Sequence, residues 1–171
     1  MITTTRIPDG FSDWTGLLAL IRTAFAYMDD VIDPPSSAHR LTPESLAEKA
    51  RGEICYLALE DGVPVGCIFL KPEAPDCLYV GKLAVLPRLQ GKGVGRRLLQ
   101  TAEDEARRRN LSRLRLETRI ELMANHATFA AWGFAKTADR SHPGFDRITF
   151  IEMQKVLPTA AEQRQPEAVS G

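Results

Sequence analysis

The stretch from Leu78 to Arg109 constrains what this chain can fold into more than any other. An apolar run ending Leu83-Ala84-Val85-Leu86-Pro87 predicts a strand. Gln90-Gly91-Lys92-Gly93-Val94-Gly95 predicts a tight turn. Val94, Leu98, Leu99, Ala102 and Ala106 then share one face at helical spacing, so a helix opens at about Val94. Strand, glycine turn and helix N-terminus together make an anion site. The first N–H groups of a helix lack intrahelical acceptors, and the positive end of its dipole lies there. Gly91, Gly93 and Gly95 carry no Cβ, so a pyrophosphate can come close to the backbone.

The glycine spacing narrows the choice of anion. A dinucleotide fingerprint G-x-G-x-x-G begun at Gly91 needs glycine where Arg96 stands, and begun at Gly93 needs it where Leu98 stands. A phosphate loop of the Walker type needs Ser or Thr after Gly91-Lys92, and Gly93 follows. The segment that remains, Q-x-x-G-x-G from Gln90 to Gly95, resembles the pyrophosphate loop of the GCN5-related N-acetyltransferases (GNAT family), R/Q-x-x-G-x-G/A. The Leu83–Pro87 run resembles that family's fourth strand, which commonly ends V-x-P.

The rest of the chain falls into elements around this core. Ile2 to Ile7 predicts a first strand. Ser12 or Asp13 caps a helix to about Met28, with Trp14, Leu17, Leu18, Ile21, Phe25 and Met28 on one face. Residues 29–41 have no periodicity and predict a loop, and Thr42-Pro43 opens a short helix to about Ala50. Ile54–Leu59 and Val63–Leu70 predict strands joined by an Asp61-Gly62 hairpin. Lys71 to Asp76, with two prolines, predicts a connection, and Cys77–Leu86 the next strand. After the glycine turn and its helix come a strand at Arg113–Arg119, a helix at Glu121–Trp132 stopped by Gly133, a strand at Phe134–Arg140 and a last strand at Arg147–Leu157. Residues 158–171 lack a packed apolar pattern and predict a disordered tail.

The order β-α-α-β-β-β-α-β-α-β-β is similar to that of the GNAT family over residues 1–157, expected as one domain. Trp132-Gly133-Phe134 resembles its common Gly-Phe, and Met153-Gln154-Lys155-Val156-Leu157 its last strand. The resemblance implies an α/β fold with a mixed, mostly antiparallel central sheet, flanking helices, and fourth and fifth strands splayed apart. It implies an N-acetyltransferase that moves the acetyl group of acetyl-CoA to an amine of a small molecule or peptide. Leu83, Ala84 and Val85 would pair with pantetheine, and an N–H near Val85 would stabilise the developing oxyanion, a contribution on the order of 3 kcal/mol. Gln90, Gly91, Lys92, Gly93, Val94, Gly95 and Arg96 would wrap the pyrophosphate. Asn125 matches an asparagine that touches pantetheine, or caps its helix.

An attacking ammonium of pKa about 10.4 needs a base near neutrality. Glu117 on the fifth strand is the candidate, with Tyr79 and water beside it; the plainer reading of Glu117 is an ion pair with Arg115 or Arg119. Many family members place a proton-donating tyrosine four residues before the Gly-Phe glycine, where this chain has Phe129, which cannot donate. Phe129 is expected to pack against cofactor or core. That departure keeps a second function class open, a non-catalytic acyl-CoA-binding or sensor domain.

Composition restricts the remaining classes. Formal net charge is zero, with 44% hydrophobic and 26% charged residues, so nothing in the balance points to nucleic acid. Arg107-Arg108-Arg109 follows Glu103-Asp104-Glu105, the charge order a helix dipole favours, and reads as a solvated face. Cys55, Cys67 and Cys77 lie in separate apolar runs with no C-x-x-C, which reads as buried thiols in a reducing cytoplasm. No signal peptide, membrane span or metal site is expected, and assembly, including a homodimer, is left open. His39 and His142 lie in loops that would flank the acceptor. Asp29, Asp30 and Asp33 form an acidic cluster whose plainer reading is a solvated loop and whose functional reading is a preference for a cationic acceptor.

Overall fold

The computed structural model describes residues 1–159 and Glu162. The disordered tail expected for residues 158–171 falls largely outside the described residues. Described strands are β1 (Ile2–Arg6), β2 (Ile54–Glu60), β3 (Val63–Glu73), β4 (Cys77–Val85), β5 (Arg113–Arg119), β6 (Ala135–Arg140) and β7 (Phe150–Val156). Helices are α1 (Trp14–Phe25), α2 (Pro43–Gly52), α3 (Val94–Arg108) and α4 (Met123–Ala131). The strands form one seven-stranded sheet in the order β1-β2-β3-β4-β5-β7-β6. Its pairs are antiparallel except β4 with β5.

Local chemistry explains most of the boundaries. Asp13 caps α1 by accepting from the Gly16 N–H (3.0 Å). Thr42 and Ser45 exchange side-chain-to-backbone hydrogen bonds in a capping box, with Pro43 at the first helical position of α2. Asp61 and Gly62 both take positive φ (49° and 84°), the conformation of a tight two-residue hairpin between β2 and β3.

Alternation along the central strands sends side chains to two cores. Ile54, Tyr56, Ala58, Ile68 and Leu70 pack under α3 with Val94, Leu98 and Ala102. Cys55, Leu57, Cys67 and Phe69 pack under α1 and α2 with Leu17, Ile21 and Leu46. Helices on both faces leave β2 and β3 as nearly continuous buried runs. Cys55, Cys67 and Cys77 are buried free thiols; burial pushes Cys55 up to about 12 and raises the other two.

Several boundaries differ from the sequence expectation: α2 runs on to Gly52, and Ser37–Arg40 form a 3-10 turn inside the expected loop. β3 continues through Pro72 to Glu73, where Pro72 pairs with Leu78. β2 begins opposite Leu70, so the other flank of β3 is open there and the missing proline N–H leaves no gap in a ladder. α1 stops at Phe25 and tightens into a short 3-10 turn at Ala26–Met28. α4 begins at Met123, two residues late. β7 begins at Phe150, because the Thr149 N–H goes to the Arg140 carbonyl (2.9 Å) at the end of the β6–β7 loop. No helix among the described residues is long and apolar enough to cross a membrane.

Candidate active site

β4 and β5 pair at only three positions, Cys77–Tyr79 with Arg113–Arg115. β5 thereafter pairs with β7 alone. The strands part after Tyr79 and Arg115, and one edge of β4 is left without a neighbour. A bulge accompanies the parting. Phe69 lies opposite Gly81 and Cys67 opposite Ala84, so Lys82 and Leu83 together face Ile68. Lys82 takes φ +44° to make this bulge, with its carbonyl near the Cys67 thiol (3.6 Å).

The parting opens a cavity of about 560 Å³. Tyr79 to Leu83 form one wall and Leu116 to Arg119 the facing one. Asn125 and Phe129 of α4, Pro34 to Ser37, His39, Arg40, His142 and Phe150 also line it.

The glycine turn sits at the C-terminal end of β4. Gly91 and Gly93 have φ of +77° and +85°, the left-handed region where a side chain is strained. Any residue at Gly93 would strain the backbone as well as crowd an anion. Arg97 is the first of α3 whose N–H reaches a carbonyl of this turn, that of Gly93 (3.0 Å). The N–H groups of Val94, Gly95 and Arg96 precede it and have no helical carbonyl behind them. Lys92, Arg96 and Arg97 are exposed around them, and the first turn holds no acid. Gln90 turns inward: its Nε2 donates to the Val85 carbonyl (3.1 Å) and ties the loop to β4. A Cβ on Gly95 would meet Trp132 at 3.5 Å, an ordinary contact, so α3 and α4 approach closely here.

These features fit a coenzyme A thioester: a free strand edge, unpaired N–H groups with basic side chains around them, and an orphaned hydroxyl. Thr118, only 6% exposed, lines the cavity, and its Oγ1 has no hydrogen-bond partner among the described residues.

Glu117 and Tyr79 meet in the same cavity. Glu117 is exposed, and its Oε1 accepts from Arg115 Nη1 (2.8 Å), the ion pair of the plainer reading. Arg115 also forks onto Glu73 (2.9 and 3.0 Å) and lies 4.5 Å from the Tyr79 ring centroid. Burial first, then the Glu117 charge, push the Tyr79 phenol up to about 12. Tyr79 therefore keeps its proton. Asn125 is the third residue of α4, where it caps nothing; its Nδ2 donates to the Tyr27 hydroxyl (3.0 Å) across the mouth of the cavity. Phe129 stacks edge-on against Trp132 and Phe134 and shows a face to the cavity.

His39 and His142 both line the cavity, each engaged. His39 Nε2 lies 2.7 Å from Asp29 Oδ1. The His142 backbone N–H donates to Thr149 Oγ1 (2.8 Å), and that hydroxyl lies 2.5 Å from His142 Nδ1. The Nδ1 side of the His142 ring is thereby occupied. Burial, then Arg119, lower its pKa.

The acidic cluster does not face the cavity. Asp29 holds His39, Asp33 pairs with Arg147 (3.1 Å), and neither they nor Asp30 form its wall. The wall carries Arg40, Lys82 and Arg119 instead, residues the sequence reading did not single out. Lys82 had a signal: a charge after glycine inside an apolar strand marks a bulge.

A family model for the acetyltransferase (GNAT) family matches residues 17–134, from α1 through the parted strands to the start of β6. An IAA acetyltransferase of Azospirillum brasilense is 34% identical over 143 residues, covering 82% of this chain and 90% of the relative. Two solved structures share the fold at low identity. The ribosomal-protein-S18-alanine N-acetyltransferase of Escherichia coli has a TM-score of 0.72 at 20% identity, over 97% of this chain and all of that one. The PaiA N-acetyltransferase of Thermoplasma acidophilum, solved with coenzyme A, has a TM-score of 0.74 at 18% identity, over 91% and 99%. With the sheet parted beside a glycine turn and this similarity along most of its length, the chain belongs to the acetyltransferase (GNAT) family and is an acetyl-CoA-dependent N-acetyltransferase.

Proposed function

We propose that the chain acetylates the amine of a small molecule in the cavity between β4 and β5, with Glu117 as the base. Acetyl-CoA supplies an acetyl thioester with a thiol leaving group. The free edge of β4 at Leu83, Ala84 and Val85 receives pantetheine amides as an added strand would be received. The N–H groups of Gly91 and of Gly93 to Arg96 hold the pyrophosphate, and the Lys92 and Arg96 side chains add charge. Asn125 and Phe129 bound the channel from α4.

The amine enters largely protonated, since its ordinary pKa is about 10.4. Among the described residues Glu117 is the only carboxylate on the cavity wall, and it takes the amine's proton, directly or through one water, as the nitrogen attacks and its N–H grows acidic. Tyr79 is a poor acid for the departing sulfur. Passing a proton from a phenol held at about 12 to a thiolate of pKa about 8.5 runs uphill by roughly 5 kcal/mol. The sulfur takes its proton from solvent, which reaches the exposed Glu117 and His39 on the same cavity.

The observation that carries this reading is the parting of β4 from β5 beside the glycine turn. Two measurements test it. Coenzyme A and acetyl-CoA are expected to raise the unfolding temperature while NAD and ATP do not; a ligand at 100 times its Kd stabilises a fold by about 2.7 kcal/mol. A thiol reagent is expected to detect amine-dependent release of coenzyme A over a panel of small amines. Stabilisation without release from any amine would refute turnover and leave a binding domain.

A further inference from the structure

Apart from Glu117, which pairs with Arg115, the charged side chains around the acceptor end of the cavity are cations, and Lys82, Arg40 and Arg119 make no ion pair with a described residue. Lys82 Nζ is held by a neutral group, the Ser37 hydroxyl (2.7 Å). Arg119 donates to two backbone carbonyls, of Pro34 (2.5 Å) and Pro35 (3.2 Å). Arg40 is exposed, and its side chain makes neither hydrogen bond nor ion pair to a described residue. A second hollow of about 380 Å³ adjoins the first and shares Ser37, Arg40, Tyr79, Gly81 and Lys82 with it. Lys49 joins its wall, already paired with Glu53 (2.7 Å), and no carboxylate lines it.

Like charges gathered in a partly buried hollow repel, and each is desolvated. The strain is visible at Lys82, where burial, then Lys49, Arg40 and Arg119, pull the pKa down to about 8. A bound anion would relieve both effects. The hollow is also polarised. Glu117 stands on β5, across the parting from Lys82 on β4, so an acceptor with one cationic and one anionic end has a single favoured orientation. Its amine faces Glu117 and its anion faces Lys82 and Arg40.

We propose that the acceptor is a small amino acid, an amine that also bears a carboxylate, and that Lys82 and Arg40 receive the carboxylate. This rests on the acetyl-transfer reading above. The bulge gives Lys82 its place: an in-register strand would pair one residue against Ile68 where Lys82 and Leu83 both stand.

The test compares amino acids with their carboxamides and with the amines left by decarboxylation. Turnover is read by coenzyme A release, and binding by calorimetry on the protein–coenzyme A complex. The acids are expected to be preferred at least tenfold in kcat/KM, mainly through KM, and to bind where the amides do not. In K82M and in R40M that preference is expected to fall at least tenfold, while K82R retains most of it. An arginine keeps the charge but cannot act as a base, so its rescue separates an anion clamp from proton transfer. Arg40 is exposed, so R40M reads out even where K82M folds poorly. Equal binding of acids and amides, or equal losses on all substrates in K82M and R40M, would overturn the proposal whether or not turnover is seen. Carboxylate-dependent binding without coenzyme A release from any amine would sustain the clamp and defeat only the transfer reading.

Discussion

Replacing Glu105 with glutamine is expected to destabilise the protein by about 2–3 kcal/mol at neutral pH, and the loss is expected to vanish in acid. Glu105 is 4% exposed on the face of α3 that meets the sheet. Burial alone would raise its pKa. Hydrogen bonds from Arg108, from Arg109 Nε (3.0 Å) and from the Tyr56 hydroxyl (2.9 Å) outweigh it and hold the carboxyl at about 2, against an ordinary 4.5. At ~1.4 kcal/mol per pKa unit the difference is worth roughly 3 kcal/mol. Arg108 and Arg109 are 59% and 40% exposed, so solvent screening takes something off that figure. The folded pKa lies below the unfolded one. The contribution is therefore complete above about pH 4.5 and is lost as pH falls towards 2. Urea unfolding of wild type and E105Q from pH 7 down to about 2.5 measures it. A gap of 2–3 kcal/mol at pH 7 that closes in acid supports the argument. A gap below 0.5 kcal/mol at pH 7, or one unchanged at pH 2.5, would mean that the ion cluster contributes packing and no charge energy.

The remaining predictions concern the site. R96E and K92E, both on exposed positions of the loop, are expected to weaken coenzyme A binding about tenfold each, with the unfolding temperature of the free protein nearly unchanged; charge-assisted hydrogen bonds carry ~1.5–3 kcal/mol. Calorimetric titration with coenzyme A reads this, and unaltered affinity in both would remove the pyrophosphate from the loop. E117Q is expected to lower kcat on the order of 100-fold or more at pH 7, and a loss under threefold would discard Glu117 as base. Y79F is expected to leave kcat within about threefold, because a phenol held at about 12 gives no proton at neutral pH; a far larger loss would restore Tyr79 as the acid.

Legibility in the sequence followed how local each feature is. The glycine turn and α3 were readable because left-handed glycines and a helix N-terminus are decided within a few residues. The element order was readable for the same reason, helped by the Asp61-Gly62 hairpin and the Thr42-Pro43 cap. What escaped depends on distant partners. Pro72 sits inside β3 only because β2 starts too late to need its N–H. Asp29 and Asp33 left two readings open, a solvated loop or a lure for amines, and only the distant partners His39 and Arg147 show how they are engaged. Asn125 resembled a cap by position, but a boundary two residues later made it a bridge to Tyr27. The orphaned Thr118 hydroxyl has no sequence signal, since only the packed structure shows that nothing reaches it.

The bulge at Lys82 and Leu83 links the donor channel to the acceptor end of the cavity. β4 must pair with β3 along its length yet leave β5 after three residues, and an extra residue in β4 supplies the bend that makes both possible. The bend bares one edge of the strand that runs into the glycine turn, so a ligand laid along that edge meets the helix N-terminus at its far end. It also places a lysine, in a conformation few residues adopt, on the wall facing Glu117. A straightened β4 would extend the pairing with β5 and remove the cavity. Deleting Lys82 is therefore expected to abolish coenzyme A binding along with acceptor selection, whereas K82M, which keeps the bulge, is expected to separate the two. Retained coenzyme A affinity in the deletion, measured on protein shown to be folded, would break the link between the bulge and the donor channel.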